Sequence, residues 1–169
     1  MDSDRLQHLA LAVSNERSLD EALNRVVTGL ASEEEIALAR IWLIQPGDIC
    51  STCSMREECP DQTTCLHLVA SSGESIRNAE LRWTYLDGDY RRFPLGVRKV
   101  GRIGATGEPA MLQISDASTE WLRDPDWAQE EGIRGFTGQP LLFRGEILGV
   151  IALFSRVPLV TLDSAAFRW

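Results

Sequence analysis

The segment Leu141-Leu142-Phe143, Arg144-Gly145 and Glu146 to Phe154 constrains the fold of this chain most. An apolar run, a short turn containing glycine and a second, β-branched run predict an antiparallel hairpin, expected as the central strand pair of a sheet. Elsewhere the period is helical. Leu6, Leu9, Ala10 and Val13 share one stripe, and Leu19, Ala22, Leu23, Val26 and Leu30 another, which predicts two amphipathic helices within residues 4–32. Ser18 and Glu21 have capping-box spacing, so the second helix should start there and run to about Ser32.

From Ala37 to Ile44 the pattern alternates, with Ala39, Ile41 and Leu43 opposite Arg40 and Trp42; Cys65 to Ala70 repeats it with Leu66 and Leu68. Two adjacent strands joined by a long insert, residues 46–65, follow. A short helix is expected at Val100 to Ala105 and a short strand at Ala110 to Ile114. A further helix is expected within Trp121 to Glu131, its start limited by Pro125. This order predicts an α+β fold, a mostly antiparallel central sheet flanked by helices. With 169 residues, 44% of them hydrophobic and 25% charged, the chain suits a single domain over 1–169.

Seventeen Lys and Arg against twenty-five Asp and Glu give a net charge of −8, which repels a phosphate backbone; direct nucleic-acid binding is not expected. No apolar window approaches the roughly 18 residues of a bilayer span, and Met1-Asp2-Ser3-Asp4 is no secretory leader. The expectation is a cytoplasmic protein without membrane contact.

All four cysteines, Cys50, Cys53, Cys59 and Cys65, fall in the insert with the spacing C-x2-C-x5-C-x5-C. A two-residue gap and loop closure can bring four sulfurs to one tetrahedral site, and four thiolates suit zinc or an iron-sulfur cluster. The spacing matches neither a paired CxxC ribbon nor the common ferredoxin run, so the metal stays open. Two disulfides, or four thiols that are merely close, are the alternatives; cytoplasmic composition disfavours the disulfides. His67 leaves the same strand face as Cys65, but four thiolates already complete a tetrahedral site, so it is expected as a half-exposed strand residue; His8 is expected at the surface.

Catalytic machinery is not visible. There is no G-x-S-x-G elbow, and Gly101, Gly104 and Gly107 form neither a dinucleotide fingerprint nor a phosphate loop. Asp116, Asp124 and Asp126 precede a helix and are expected as caps or solvated charges.

Phe93-Pro94-Leu95-Gly96, the stretch Gly101-Arg102-Ile103-Gly104-Ala105-Thr106-Gly107-Glu108-Pro109-Ala110, and Phe136 through Ile151 with its Pro140-Leu141 strand, Gly145 turn and Leu148-Gly149-Val150-Ile151 strand occur in an order that resembles a GAF domain. Asp124-Pro125-Asp126-Trp127-Ala128-Gln129-Glu130-Glu131-Gly132-Ile133 is similar to the family's segment that closes over the ligand pocket. The resemblance implies a GAF/PAS-like regulatory sensor, most often bacterial, and non-enzymatic. It would bind an unidentified small-molecule ligand near Trp83, Tyr85, Phe93, Trp127 and Phe136, with Arg98 as an anion contact. It also implies that the C-terminal helix begun at Val157 is truncated and continues to an output domain in the same longer chain. That helix would pair with the first in a homodimer. A transcription activator or a sensor kinase is the implied parent; Cys-rich insertions here are similar to those of enhancer-binding activators. The alternative within the family is the free methionine sulfoxide reductase group. That group's working cysteine falls near the Gly-rich turn, where this chain has Arg102-Ile103-Gly104.

Overall fold

The computed structural model describes residues 3–14, 16–114, 122 and 124–159, with side chains from residue 7 onward. Its helices are α1 (Ser3–Ser14), α2 (Leu19–Ala31), α3 (Arg98–Thr106) and α4 (Pro125–Glu130). Its strands are β1 (Ile36–Pro46), β2 (Thr64–Gly73), β3 (Arg92–Pro94), β4 (Ala110–Gln113), β5 (Gly135–Phe143) and β6 (Glu146–Ser155). The strands form one sheet in the order β3-β2-β1-β6-β5-β4, every neighbouring pair antiparallel, so the fold is α+β with a curled antiparallel sheet. No helix among the described residues is long and apolar enough to cross a membrane.

The expected hairpin forms as β5 and β6 around Arg144-Gly145, both of which adopt positive φ as a tight turn requires. It is not the central pair, however. The centre is β1 beside β6, with β5 one step outward. Gly149 on β6 permits this pairing, because a Cβ there would collide with the Trp42 carbonyl oxygen of β1. A glycine carries the closest approach of the two central strands.

Two apolar layers cover the sheet. On one face Val27 and Leu30 of α2 pack on Ile36, Ala39, Ile41, Ala70 and Leu153. α2 begins where Ser18 accepts the Glu21 amide at 3.1 Å, satisfying one of the donors that a helix start leaves free. The opposite face buries Trp42, Leu66, Leu68, Phe93, Ile103, Phe136 and Val150 beneath α3 and α4.

The strand β3 was absent from the sequence-based expectations, because three residues carry too little periodicity to be seen. The insert also differs from them. Met55, within it, is wholly buried in the larger core, so the loop contributes a side chain to the domain rather than lying over it. His67, expected half-exposed, is buried at 6%. In α1, Leu9 packs against Gly29 of its own chain, while Leu6 has a side chain outside the described residues. Trp121, Asp116 and the final helix expected up to Trp169 likewise lie outside them.

Candidate functional site: an aromatic cavity beside a cysteine loop

A cavity of about 270 Å³ opens between the sheet and the α3–α4 side. Alternation along β1 turns Leu38, Arg40 and Trp42 into it, while β3, β5 and β6 supply Phe93, Phe136 and Phe154. The first turn of α3 adds Arg98, Lys99 and Val100; α4 adds Trp127, and the connection between β2 and β3 adds Trp83 and Tyr90. Asp124 fixes the start of α4 by accepting the Trp127 amide at 2.9 Å, with Pro125 in the first helical turn where its missing N–H costs nothing.

The rings form a connected wall. Trp83 meets Trp127 edge-on at 5.5 Å, Trp127 meets Phe154 at 5.5 Å, and Phe154 meets Phe136 at 5.2 Å. Trp42 packs against Phe93 at 6.4 Å, and its Nε1 donates to the Tyr90 carbonyl at 2.9 Å. Such edge-to-face contacts favour fixed ring orientations and so hold the wall's shape.

Of the residues singled out from sequence, Trp83, Phe93, Arg98, Trp127 and Phe136 come together around this cavity. Tyr85 does not: its side chain is 71% exposed and lies away from the lining. Its place is taken by Tyr90, which sits at the end of the turn leading into β3. Arg98 has a positive φ of 51° and pairs through its guanidinium with Glu58 of the insert at 3.2 Å, linking the cavity rim to the cysteine loop.

Among the lining residues that sequence reasoning does not single out, Arg40 carries a charge. Its Nε donates to Ser71 Oγ at 3.2 Å, and Ser71 in turn donates to the Trp83 carbonyl at 2.6 Å. The guanidinium also lies 5.6 Å from the Tyr90 ring centre. Burial pushes its pKa down to about 10, with Tyr90 acting the other way, so it stays a cation at neutral pH.

Next to this cavity, between β1 and β2 in the chain, lies the cysteine loop, whose Met55 and Cys53 pack in the same core layer. Its base is closed by the Gly47 amide donating to the Thr63 carbonyl at 2.8 Å, and consecutive turns carry the chain between. Cys50, Cys53, Cys59 and Cys65 all line one small cavity of about 20 Å³, together with Asp48, Arg56 and Arg92. All four are free thiols, and Cys50 Sγ donates to the Gln62 carbonyl at 3.1 Å. Burial pushes the Cys65 thiol up to about 11 against the opposing influence of Arg92. Asp48 grips Arg92 through two contacts, at 2.7 and 2.6 Å. His67 Nε2 has no hydrogen-bond partner among the described residues and sits 3.9 Å from Asp48; burial and Arg92 hold its pKa below the ordinary histidine value. As placed, no three His, Cys, Asp or Glu side chains among the described residues are arranged to hold a metal ion.

The family model for the GAF domain matches residues 18–167. Comparison with curated proteins gives no match. Among solved structures, the chain is similar to the GAF domain of a phosphoenolpyruvate-protein phosphotransferase from Coxiella burnetii, with 20% identity, TM-score 0.58 and coverage of 89% of this chain and 75% of that one. It is also similar to the A. Aeolicus nlh2 GAF domain in an inactive state, with 13% identity, TM-score 0.60 and coverage of 89% and 76%. A third is free methionine-R-sulfoxide reductase from Neisseria meningitidis in complex with its substrate, with 17% identity, TM-score 0.58 and coverage of 92% and 77%. At these identities the likeness establishes a shared fold.

Proposed function

The chain belongs to the GAF domain family, and from that premise we propose that it is a non-catalytic sensor module of a bacterial signalling or transcription-regulating protein, reading a small organic ligand in the aromatic cavity. The observation that carries this is the connected ring wall around about 270 Å³ of space. Small-molecule sites are concave, mostly apolar and supplied with few polar groups, and this cavity has that composition. Thermal unfolding in the presence of small aromatic compounds tests it: a binder raises the midpoint, and the rise grows with the logarithm of its concentration above Kd. Loss of the shift in Trp127→Ala, with the fold retained, assigns the binding to this cavity.

In the same reading the insert is a metal or iron-sulfur centre held by Cys50, Cys53, Cys59 and Cys65. Support comes from their common cavity and from Arg56 beside it, a cation that opposes part of the excess negative charge of four thiolates around a divalent ion, while Arg92 is paired with Asp48. Since the thiols as placed do not present a finished site, binding requires the loop to close further. The module is proposed to act as a homodimer through its terminal helices, with an output domain in the same longer chain. The apolar groove lined by Leu9, Val13, Leu30 and Leu141 supports a helical partner, although Leu9 is already partly used within its own domain.

A second reading, a thiol redox enzyme of the free methionine sulfoxide reductase type, is favoured by four free thiols clustered in one cavity. The raised Cys65 pKa weighs against that residue as nucleophile, because the thiolate is the reacting form. The expected result with free methionine sulfoxide and a thioredoxin-type reductant is no turnover above background. Turnover abolished by Cys59→Ser or Cys65→Ser would put the enzyme first.

A further inference from the structure

Arg40 is a part-buried cation of the cavity wall, and most of its guanidinium donors are unused among the described residues. Its Nε serves Ser71, while neither Nη group has a hydrogen-bond partner or carboxylate among the described residues. A cation partly withdrawn from water favours hydrogen-bonding or anionic partners for its remaining donors. Ser71 holds Nε from one side and the Tyr90 ring flanks the guanidinium, so its remaining edge belongs to the cavity it lines.

A second feature points the same way. The nine-residue helix α3 presents its first turn to this cavity, and its N-cap, Val97, makes no side-chain cap. No acidic residue occupies that turn, which carries Arg98 and Lys99 instead. The free amides and the partial positive charge of a helix start are therefore not neutralised by the helix's own side chains. Arg98 is paired with Glu58, and Asp124 is engaged as the cap of α4, which leaves Arg40 and Lys99 as the lining charges without an oppositely charged partner among the described residues.

Resting on the proposal that the cavity holds a small organic ligand, we infer that this ligand is a small aromatic carboxylate. Its carboxylate takes the Arg40 fork, and its ring lies among Trp83, Trp127, Phe136 and Phe154. A planar guanidinium fork matches the two oxygens of a carboxylate, which the point charge of Lys99 does not. The volume, about 270 Å³, lies at the lower end of small-molecule sites, which limits the body to one or two rings. Ser71 is a positioning residue: it orients Arg40 and touches no ligand.

The test titrates the full 169-residue chain calorimetrically with benzoate and indole-3-carboxylate, and in parallel with benzamide and indole-3-carboxamide, neutral molecules of nearly the same shape. The carboxylates are expected to bind at least about tenfold more tightly than their amides, the scale of one charge-assisted pair. Arg40→Met should abolish that preference while leaving amide binding. Arg40→Gln serves as the second variant and should lose the preference without requiring an apolar replacement. If amides and carboxylates bind equally, or if both Arg40 variants keep the carboxylate preference, the charge inference is wrong while ligand binding in the cavity stands. If none of the four compounds binds, the cavity assignment falls with it.

Discussion

Ser75 donates its hydroxyl to the Glu131 carboxylate at 2.6 Å, and both side chains are buried. The other carboxylate oxygen accepts the Ile76 amide at 2.9 Å. Glu131 is the residue on which α4 ends, and Ser75 follows β2, so this contact ties the helix that carries Trp127 to the strand that carries Ser71. Ser75 Oγ additionally accepts the Arg77 and Asn78 amides, which shapes the turn leading away from the sheet. Ser75→Ala leaves a buried carboxylate oxygen and two amides short of partners. A loss of about 1–3 kcal/mol is expected, read as a lower urea midpoint at unchanged slope.

Met55 gives a second expectation. Because it is fully buried in the main core, Met55→Ala should cost about 2–5 kcal/mol. Denaturant unfolding checks this, and a loss below about 0.5 kcal/mol would mean that the insert only rests on the surface.

Gly149→Ala should destabilise through backbone rather than side-chain contacts. The new Cβ meets the Trp42 carbonyl oxygen and comes within 3.0 Å of Leu43 Cα, so β1 and β6 must separate. The expectation is a drop of several degrees in the unfolding midpoint, as a cost of 1 kcal/mol moves a domain of this size by about 2–4 °C. Gly88→Ala supplies the comparison, because its added Cβ meets nothing and only the positive φ of 86° opposes it.

Acid sensitivity follows from Asp48. The two hydrogen bonds from Arg92 hold its carboxyl well below the usual carboxylate range. The unfolded group titrates near about 3.9, so the stabilisation is fully present above that pH and is lost as pH falls through the lower folded value. Asp48→Asn should therefore lower the unfolding temperature at neutral pH, and its difference from the unaltered protein should shrink at about pH 3. An equal gap at both pH values would show that the ion pair contributes nothing.

For the cysteines, Cys53→Ser and Cys59→Ser should each reduce bound zinc or iron, measured by metal analysis and absorption on protein purified without oxygen. Full occupancy in both variants would exclude a four-thiolate site. The unfolding transition of the metal-free chain should persist, since the two apolar layers on the sheet are built chiefly of aliphatic and aromatic side chains, with Cys53 only at the margin of one of them.

Much of this architecture is legible in the sequence where a pattern runs long enough. Ser18 and Glu21 mark the start of α2, and the Arg144-Gly145 turn marks the hairpin. The centre of the sheet was misplaced because hairpin strength reports local pairing, whereas β1 becomes central through its long-range register with β6. Arg40 was read with Trp42 as the less apolar side of a strand. β1 is covered on both faces, so alternation there separates one core layer from another, not core from water. Tyr85 and Tyr90 lie in the same stretch of irregular chain, where no periodicity tells which one faces inward. The thiols could be grouped from spacing, but their distances depend on how the loop folds over Met55 and Arg92.

The shortest strand has the widest reach. β3 gives Phe93 to the ring wall and Arg92 and Pro94 to the thiol cavity, so adjacent peptide units front two different chemistries. With three residues it has no spare length in which to absorb a tilt, and its only strand neighbour is β2. The two chambers thus share a party wall one residue thick. Any free energy by which occupancy on one side moves that wall is returned, equal in size, as a change of affinity on the other.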